Sequence, residues 1–146
     1  MPQRTRDLLS RDTFLQLVRL HDRLTGEFAR LFKSEGLTQA QYNVLRILAG
    51  APAGGVPCQY VGERLITRVP DVTRLLDRMV AQEWVSRERS DTDRRVVLVA
   101  ITAQGRRLCA QLEEPVLELH RRQFGGLSRG QLQELLQGLG AALEAG

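Results

Sequence analysis

The segment 58–101 constrains the fold most, because its apolar residues change from helical to alternating spacing. We predict a helix over residues 58–65, a short turn, and a further helix that begins at Pro70, where the missing N–H of proline costs nothing. Two strands joined by a polar loop follow, near residues 85–89 and 95–101. The segment is therefore predicted to be a helix-turn-helix followed by a β-hairpin.

The helix that begins at Pro70 has two unlike faces. The apolar side is formed by Val72, Leu75, Leu76, Met79 and Val80. Arg74 and Arg78 stand one turn apart on the opposite side, where they face solvent. Such an arginine row, taken alone, is more often a solvated face than a DNA reader. Its place after a helix-turn and before a hairpin favours DNA, because a helix fits the major groove.

Helices are also predicted on the amino-terminal side of this segment. Apolar residues recur at three- and four-residue steps over residues 12–33, with His21 filling one place in the seam. Thr38 and Gln41 have capping-box spacing, and a second helix follows as far as Ala49.

Two more helices are predicted after the hairpin. Thr102 can cap the first of them, and Pro115 is expected to kink or break it. Ser128 and Gln131 again have capping-box spacing before a last amphipathic helix. The terminal helices have apolar stripes but are too few to form a closed bundle, so we expect them to pair two chains.

Composition sets broad limits on the class of protein. A chain of 146 residues with 42% apolar residues is expected to form one compact unit. The formal charge of +4 weakly favours polyanionic partners. The amino-terminal residues lack the apolar core of a signal peptide, and no apolar run is long enough to cross a bilayer. We therefore expect a cytoplasmic protein without a membrane partner.

Few residues are available for site chemistry. Cys58 and Cys109 belong to no metal-binding spacing, and His21 and His120 are the only histidines. No nucleophile, base and orienting group can be assembled from these residues, so we expect no enzyme activity, metal or cofactor. Structural roles are favoured over redox sensing for both cysteines.

Several motifs in the right order resemble those of multiple-antibiotic-resistance regulators, the MarR family. VTRLLDRM resembles the family's recognition helix, and DRRVVLVAIT fits the wing pattern D-x-R-x-x-x-V-x-L-T with isoleucine at the leucine place. LTQAQYNVLRIL resembles the family's second helix. The resemblance extends, less specifically, over almost the whole chain.

The resemblance implies an α+β, mostly helical winged helix-turn-helix protein with one MarR-like domain over residues 1–146. Dimerisation helices would lie near residues 12–34 and 103–146, and the DNA-binding module near residues 38–101. It implies a homodimer on a pseudo-palindromic operator in double-stranded DNA. The implied function is transcriptional regulation, with repression relieved by a small-molecule effector, often a phenolic or other aromatic acid.

Functional residues carried over from the resemblance fall in two places. Arg95 is implied to be the wing-tip residue for the minor groove, and Asp93 to help order it. The full set on or beside the recognition helix is Arg68, Pro70, Asp71, Thr73, Arg74 and Arg78, and the wing set is Asp93, Arg94 and Arg95. His21 and Tyr42 would suit an aromatic acid effector, although no motif identifies them.

Two departures from the family pattern affect the entry into the wing. Glu83 stands where the family commonly has glycine, and glutamate tolerates a left-handed conformation poorly. Trp84 stands where leucine is common and is expected to pack in the core. Two alternatives keep the fold: a repressor that responds to cysteine oxidation, and a winged-helix adaptor for protein interactions.

Overall fold

The computed structural model describes residues 2–146, and it has the predicted order of helices around a hairpin. The helices are α1 (Pro2–Ser34), α2 (Gln39–Ala49), α3 (Cys58–Arg64), α4 (Val72–Ala81), α5 (Ala103–Phe124) and α6 (Arg129–Glu144). The strands are β1 (Val56–Pro57), β2 (Val85–Arg89) and β3 (Val97–Ile101), which form one antiparallel sheet in the order β1-β3-β2. The predicted α+β, mostly helical class is confirmed.

The chain divides into two compact units. The first ends at Leu112, and the second is Glu113–Gly146. The first unit contains the helix-turn-helix, the hairpin and the beginning of α5. The second contains the end of α5 and all of α6.

Side-chain caps begin three of the helices as the sequence predicts. The Thr38 hydroxyl accepts from the Gln41 amide at 3.2 Å, and the Gln41 side chain accepts from the Thr38 amide at 2.9 Å. Ser128 and Gln131 form the same reciprocal pair at the start of α6. The Thr102 hydroxyl accepts from the Gly105 amide at 3.0 Å. Each cap satisfies amide donors that the first helical turn leaves without a partner.

Two helix starts differ from prediction. α1 begins at Pro2 rather than near residue 12, and residues 2–19 of this helix are exposed. α4 begins after Asp71 rather than at Pro70, because the Asp71 carboxylate accepts from the Arg74 amide at 3.0 Å and forms the cap. Pro70 lies in the preceding turn.

α5 and the sheet also differ from the sequence prediction. α5 continues through Pro115, so a break at this residue, one of the two predicted outcomes, is wrong, although proline removes one backbone donor from the helix. β3 begins at Val97 rather than at residue 95. β1 was not predicted, because a two-residue strand has no readable alternation and depends on pairing Val56 with Val99.

The core of the first unit is formed by buried side chains of α1, α2, α3, α4 and the sheet. Phe32 of α1 is buried, and its ring stacks on Tyr42 of α2 with centroids 4.7 Å apart. Leu76 and Met79 of α4 are fully buried, which confirms the predicted apolar side of that helix. Trp84 is buried as expected. Burial on this scale fixes the rotation of α4 about its axis, because turning it would expose the apolar side.

The path from α4 into the wing is a Schellman turn. The Glu83 amide donates to the Val80 carbonyl at 2.9 Å, and the Trp84 amide donates to the Met79 carbonyl at 3.1 Å. Glu83 has φ 63°, and it is the one non-glycine with positive φ among residues 2–146. Glutamate therefore occupies the left-handed position that usually takes glycine.

Thr102 and Gly105 hold this turn against the start of α5. The Thr102 hydroxyl donates to the Glu83 carbonyl at 2.6 Å, and its amide donates to the Trp84 carbonyl at 3.0 Å. A Cβ on Gly105 would overlap the Trp84 carbonyl oxygen. Glycine at position 105 therefore allows α5 to begin directly against the turn.

Replacing Glu83 with glycine is expected to raise the free energy of unfolding by about 0.5–1 kcal/mol, because the left-handed conformation is costly for a residue with a Cβ. Urea denaturation at one fixed chain concentration measures the change. Glu83→Ala removes the carboxylate but keeps the Cβ, so it should change stability by less than about 0.5 kcal/mol. Equal stabilisation by both variants would show that charge, and not backbone strain, is responsible.

Candidate DNA-binding interface

The exposed face of α4 carries the residues predicted for the major groove. Thr73, Arg74, Asp77 and Arg78 are exposed, while the opposite side is buried in the core. The helix has 10 residues, and its buried side directs the two arginines to solvent. Guanidinium forks on a helix of this kind can bond to guanine edges.

The turn before α4 places the other three predicted residues near its amino-terminal end. Arg68 and Pro70 are exposed in the turn. The Ile66 amide donates to the Asn43 side-chain carbonyl at 2.9 Å, which anchors the turn to α2. Asp71 is also exposed, but its carboxylate accepts from the Arg74 amide, so it serves first as the helix cap.

The wing is a hairpin whose loop is closed by short-range hydrogen bonds. The Ser90 amide donates to the Val96 carbonyl at 2.9 Å, and the Val96 amide donates to the Asp93 carbonyl at 3.0 Å. The Ser90 hydroxyl accepts from the amides of Thr92 and Asp93 at 3.3 and 3.4 Å. These bonds give the loop a defined shape.

Asp93 orders the tip of the wing. Its carboxylate accepts from the Arg95 amide at 3.0 Å and lies 3.7 Å from the Arg95 Nε. The Arg95 side chain remains 94% exposed. The Arg94 carbonyl accepts from the Arg89 guanidinium at 2.7 Å. The wing therefore presents Arg95 outward from a braced loop.

An ion pair between α4 and β2 was not predicted. Asp77 of α4 pairs with Arg87 of β2, so a residue on the exposed helix face contacts the first strand of the wing. The sequence contains no signal for this contact, because the partners stand ten positions apart with a turn between them. The contact can be recognised only from the orientation of the wing relative to α4.

The two residues predicted for an effector lie in different surroundings. His21 is exposed on α1, whereas Tyr42 is half-buried and stacked on Phe32. A hollow of about 500 Å³ between α1 and α2 contains neither of them. Its lining residues are Ala29, Lys33, Gly36, Leu37, Thr38, Gln39 and Gln41.

The two cysteines differ in burial. Cys58 is half-buried at the start of α3, and Cys109 is buried in α5. Within residues 2–146, no group of three histidine, cysteine or acidic side chains could hold a metal ion. No helix in the same range is long and apolar enough to span a bilayer.

Comparison with known proteins agrees with this geometry. The model of the MarR family matches residues 35–96, which run from the end of α1 into the wing. A crystal structure of a MarR transcription factor from Planctomyces limnophilus is 37% identical, with a TM-score of 0.71, and the match covers 90% of this chain and 95% of that one.

Two curated relatives extend the comparison. The HTH-type transcriptional repressor IacR of Pseudomonas putida is 31% identical over 84% of this chain and 72% of its own length. The homoprotocatechuate degradative operon repressor of Escherichia coli is 25% identical over 84% of each chain. The chain therefore belongs to the MarR family of DNA-binding transcriptional regulators.

Proposed function

We propose that this regulator is a homodimeric repressor that binds a pseudo-palindromic operator and is released by a small aromatic acid. The main support for DNA binding is the exposed arginine face of α4 together with the hydrogen-bonded wing, in which the Arg95 side chain is 94% exposed. Repression follows the curated relatives, both of which are named as repressors.

α4 is the proposed recognition helix. Its exposed side chains enter the major groove, where Arg74 and Arg78 bond to base edges or phosphates and Thr73 contacts a base or the backbone. Arg68 and Pro70 approach the phosphate backbone from the preceding turn. Asp71 contributes mainly by fixing the start of the helix.

The wing is proposed to enter the adjacent minor groove. Arg95 is directed outward by Asp93, and a narrow minor groove attracts a guanidinium through its negative potential. Arg94 lies beside it and is also exposed, which suits a phosphate contact. Helix and wing together would cover one half-site.

A second copy of the chain is proposed to cover the exposed apolar residues of the terminal helices. In α6, Leu136 is 72% exposed and Leu143 is 83% exposed. Exposed apolar residues of α1 are Leu8, Leu9, Phe14, Leu15, Leu17 and Val18. Apolar surface grouped in this way marks an interaction site. A dimer would place two recognition helices about 34 Å apart for successive major grooves.

The proposed effector is an aromatic acid because one relative is named for the homoprotocatechuate degradative operon. His21 and Tyr42 remain candidate contacts, with His21 exposed on α1 and able to meet a ligand between two copies of the chain. An effector can act by changing the spacing of the recognition helices, provided that it binds the two spacings unequally. Cysteine oxidation is the alternative trigger.

Arg74→Ala is expected to weaken binding to the preferred site by about 1–3 kcal/mol and to relax the choice at one base position per half-site, because a guanidinium fork is lost. Arg95→Ala should weaken many sequences more evenly and reduce the salt slope by about one per wing if a phosphate contact is lost. Fluorescence anisotropy on single-base variants of a site selected from random DNA measures both effects.

Both variants must remain folded dimers for this comparison. Asp93→Asn serves as a partner control, since it keeps the size of the side chain but weakens the bracing of Arg95. Full affinity and unchanged preference in both arginine variants would show that the assigned DNA face is wrong and would favour the protein-interaction adaptor.

Replacing Leu136 and Leu143 with glutamate is expected to weaken the dimer while leaving each chain folded, because both side chains are exposed within one chain. Each buried leucine contributes on the order of 2 kcal/mol, so the dissociation constant should rise more than about a hundredfold. Sedimentation velocity measures the change, and Gln137→Glu is the control on the same helix. A folded wild-type monomer at micromolar concentration would contradict the proposal.

Homoprotocatechuate is expected to lower operator affinity at least about tenfold, which corresponds to a coupling near 1.4 kcal/mol. Anisotropy titrations with the acid, and with its uncharged methyl ester as control, measure the effect. Release by peroxide that Cys58→Ser or Cys109→Ser abolishes, without release by any aromatic acid in a panel, would replace this proposal with the oxidation mechanism.

A further inference from the structure

The Asp77–Arg87 ion pair joins the two parts of the proposed DNA-binding face. Asp77 lies in α4 between Arg74 and Arg78, and Arg87 lies in the first strand of the wing. We infer that this pair is a positioning brace that sets the angle between recognition helix and wing, so that both reach one half-site together. This inference rests on the proposed DNA-binding face.

The brace follows from the geometry of the joint at Glu83. Six residues of helix and turn lead back from Glu83 to Asp77, or about 9 Å at the helical rise. Four residues of strand lead forward from Glu83 to Arg87, or about 13 Å at the strand rise. The ion pair connects these two segments at a distance from the turn. A contact between helix and strand at that distance restrains the angle between them more strongly than the turn does alone.

Stability alone does not account for the pair. The side chains of Asp77 and Arg87 are 53% and 31% exposed, and ion pairs at such exposure contribute little to folding. The turn itself is already held by Thr102, which donates to the Glu83 and Trp84 carbonyls. What the pair adds is restraint between helix and wing.

Charge gives a second reason to assign a function to this contact. Asp77 places a carboxylate on a face that is proposed to meet phosphates, where an unpaired negative charge opposes binding. Asp71 on the same helix has a capping role that explains its presence, but Asp77 caps nothing. Asp77 pairs with Arg87, and the positive charge of that arginine offsets the repulsion between the carboxylate and DNA.

A direct phosphate contact by Arg87 is the competing interpretation, and a double-mutant cycle separates the two. The variants are Arg87→Ala, Asp77→Asn and the double mutant. Each binds a duplex that carries a site selected from random DNA by the wild-type protein, and a duplex of random sequence. Anisotropy titrations at several salt concentrations give affinity, preference and salt slope.

If the pair is a brace, each single variant lowers affinity for the selected site about tenfold, and the double mutant is no weaker than the weaker single variant. Removing either partner already removes the restraint between helix and wing, so the second change has nothing left to remove. Affinity for random duplex should change less than about threefold, and the salt slope should stay constant, because no phosphate contact is lost.

The inference is overturned if Arg87→Ala costs as much in the Asp77→Asn background as in the wild type, or if it lowers the salt slope by about one per subunit. It is also overturned if neither single variant changes affinity for the selected site. Circular dichroism and sedimentation establish that the variants are folded and assembled like the wild type. Arg46→Ala, which removes an exposed arginine from α2, is the matched control and should bind normally.

Failure of the brace and failure of the DNA-binding face give different results. If the wild type selects a site and Arg74→Ala loses preference, the face is correct, and an additive cycle then contradicts the brace alone. If the wild type selects no site, or Arg74→Ala is silent, the proposed face itself is wrong and the brace is overturned with it.

Discussion

Three elements of the DNA-binding module meet at two backbone carbonyls, those of Glu83 and Trp84. α4 ends there, β2 begins there, and Thr102 at the start of α5 donates its hydroxyl to one carbonyl and its amide to the other. Gly105 allows this approach, because any Cβ would overlap the Trp84 carbonyl oxygen. These hydrogen bonds to backbone carbonyls therefore help to fix the orientation of helix and wing, together with side-chain packing. The positions of the exposed arginines on α4 and the wing therefore depend on the contacts at Glu83 and Trp84.

Three of the acidic residues around the arginines have local structural roles. Segment 62–95 contains eight arginines and seven acidic residues, a net charge of +1, which does not resemble a basic patch. Asp71 caps α4, Asp93 binds the Arg95 amide, and Asp77 pairs with Arg87. Each of these three carboxylates is thus bonded to a group of the protein itself, while the Arg95 side chain extends into solvent. Net charge is a poor guide to this face, because the direction of each charge matters more than the sum.

Local signals in the sequence predicted local features of the structure. The capping boxes at Thr38 and Ser128 and the two faces of α4 could be read because each depends on residues within one or two turns. The exposed first half of α1 could not be placed, since the prediction followed a seam of apolar residues and not helix-forming tendency. β1 was missed because its pairing with β3 is non-local.

The residues of the candidate site likewise divide into those with a local sequence signal and those whose contacts are non-local. Arg74, Arg78 and Arg95 could be named from motif and spacing, and the structure shows them exposed on α4 and the wing. The Asp77–Arg87 contact could not be named, because it joins two elements whose relative orientation no local sequence pattern predicts. Tyr42 was assigned to a ligand on chemistry alone, and no sequence signal indicates that its ring stacks on Phe32.

The rigidity of the joint limits how an effector can act under the proposed function. If Thr102, the Glu83 turn and the Asp77–Arg87 pair fix helix and wing within each module, a ligand has little freedom to move one against the other. The remaining variable is the distance between the two modules of a dimer, which the operator requires to be near one helical turn, about 34 Å. A ligand at the surface between the two copies changes that distance directly, whereas one bound near Cys58 in α3 must first disturb the module itself. The dimer surface is therefore the more effective place for regulation.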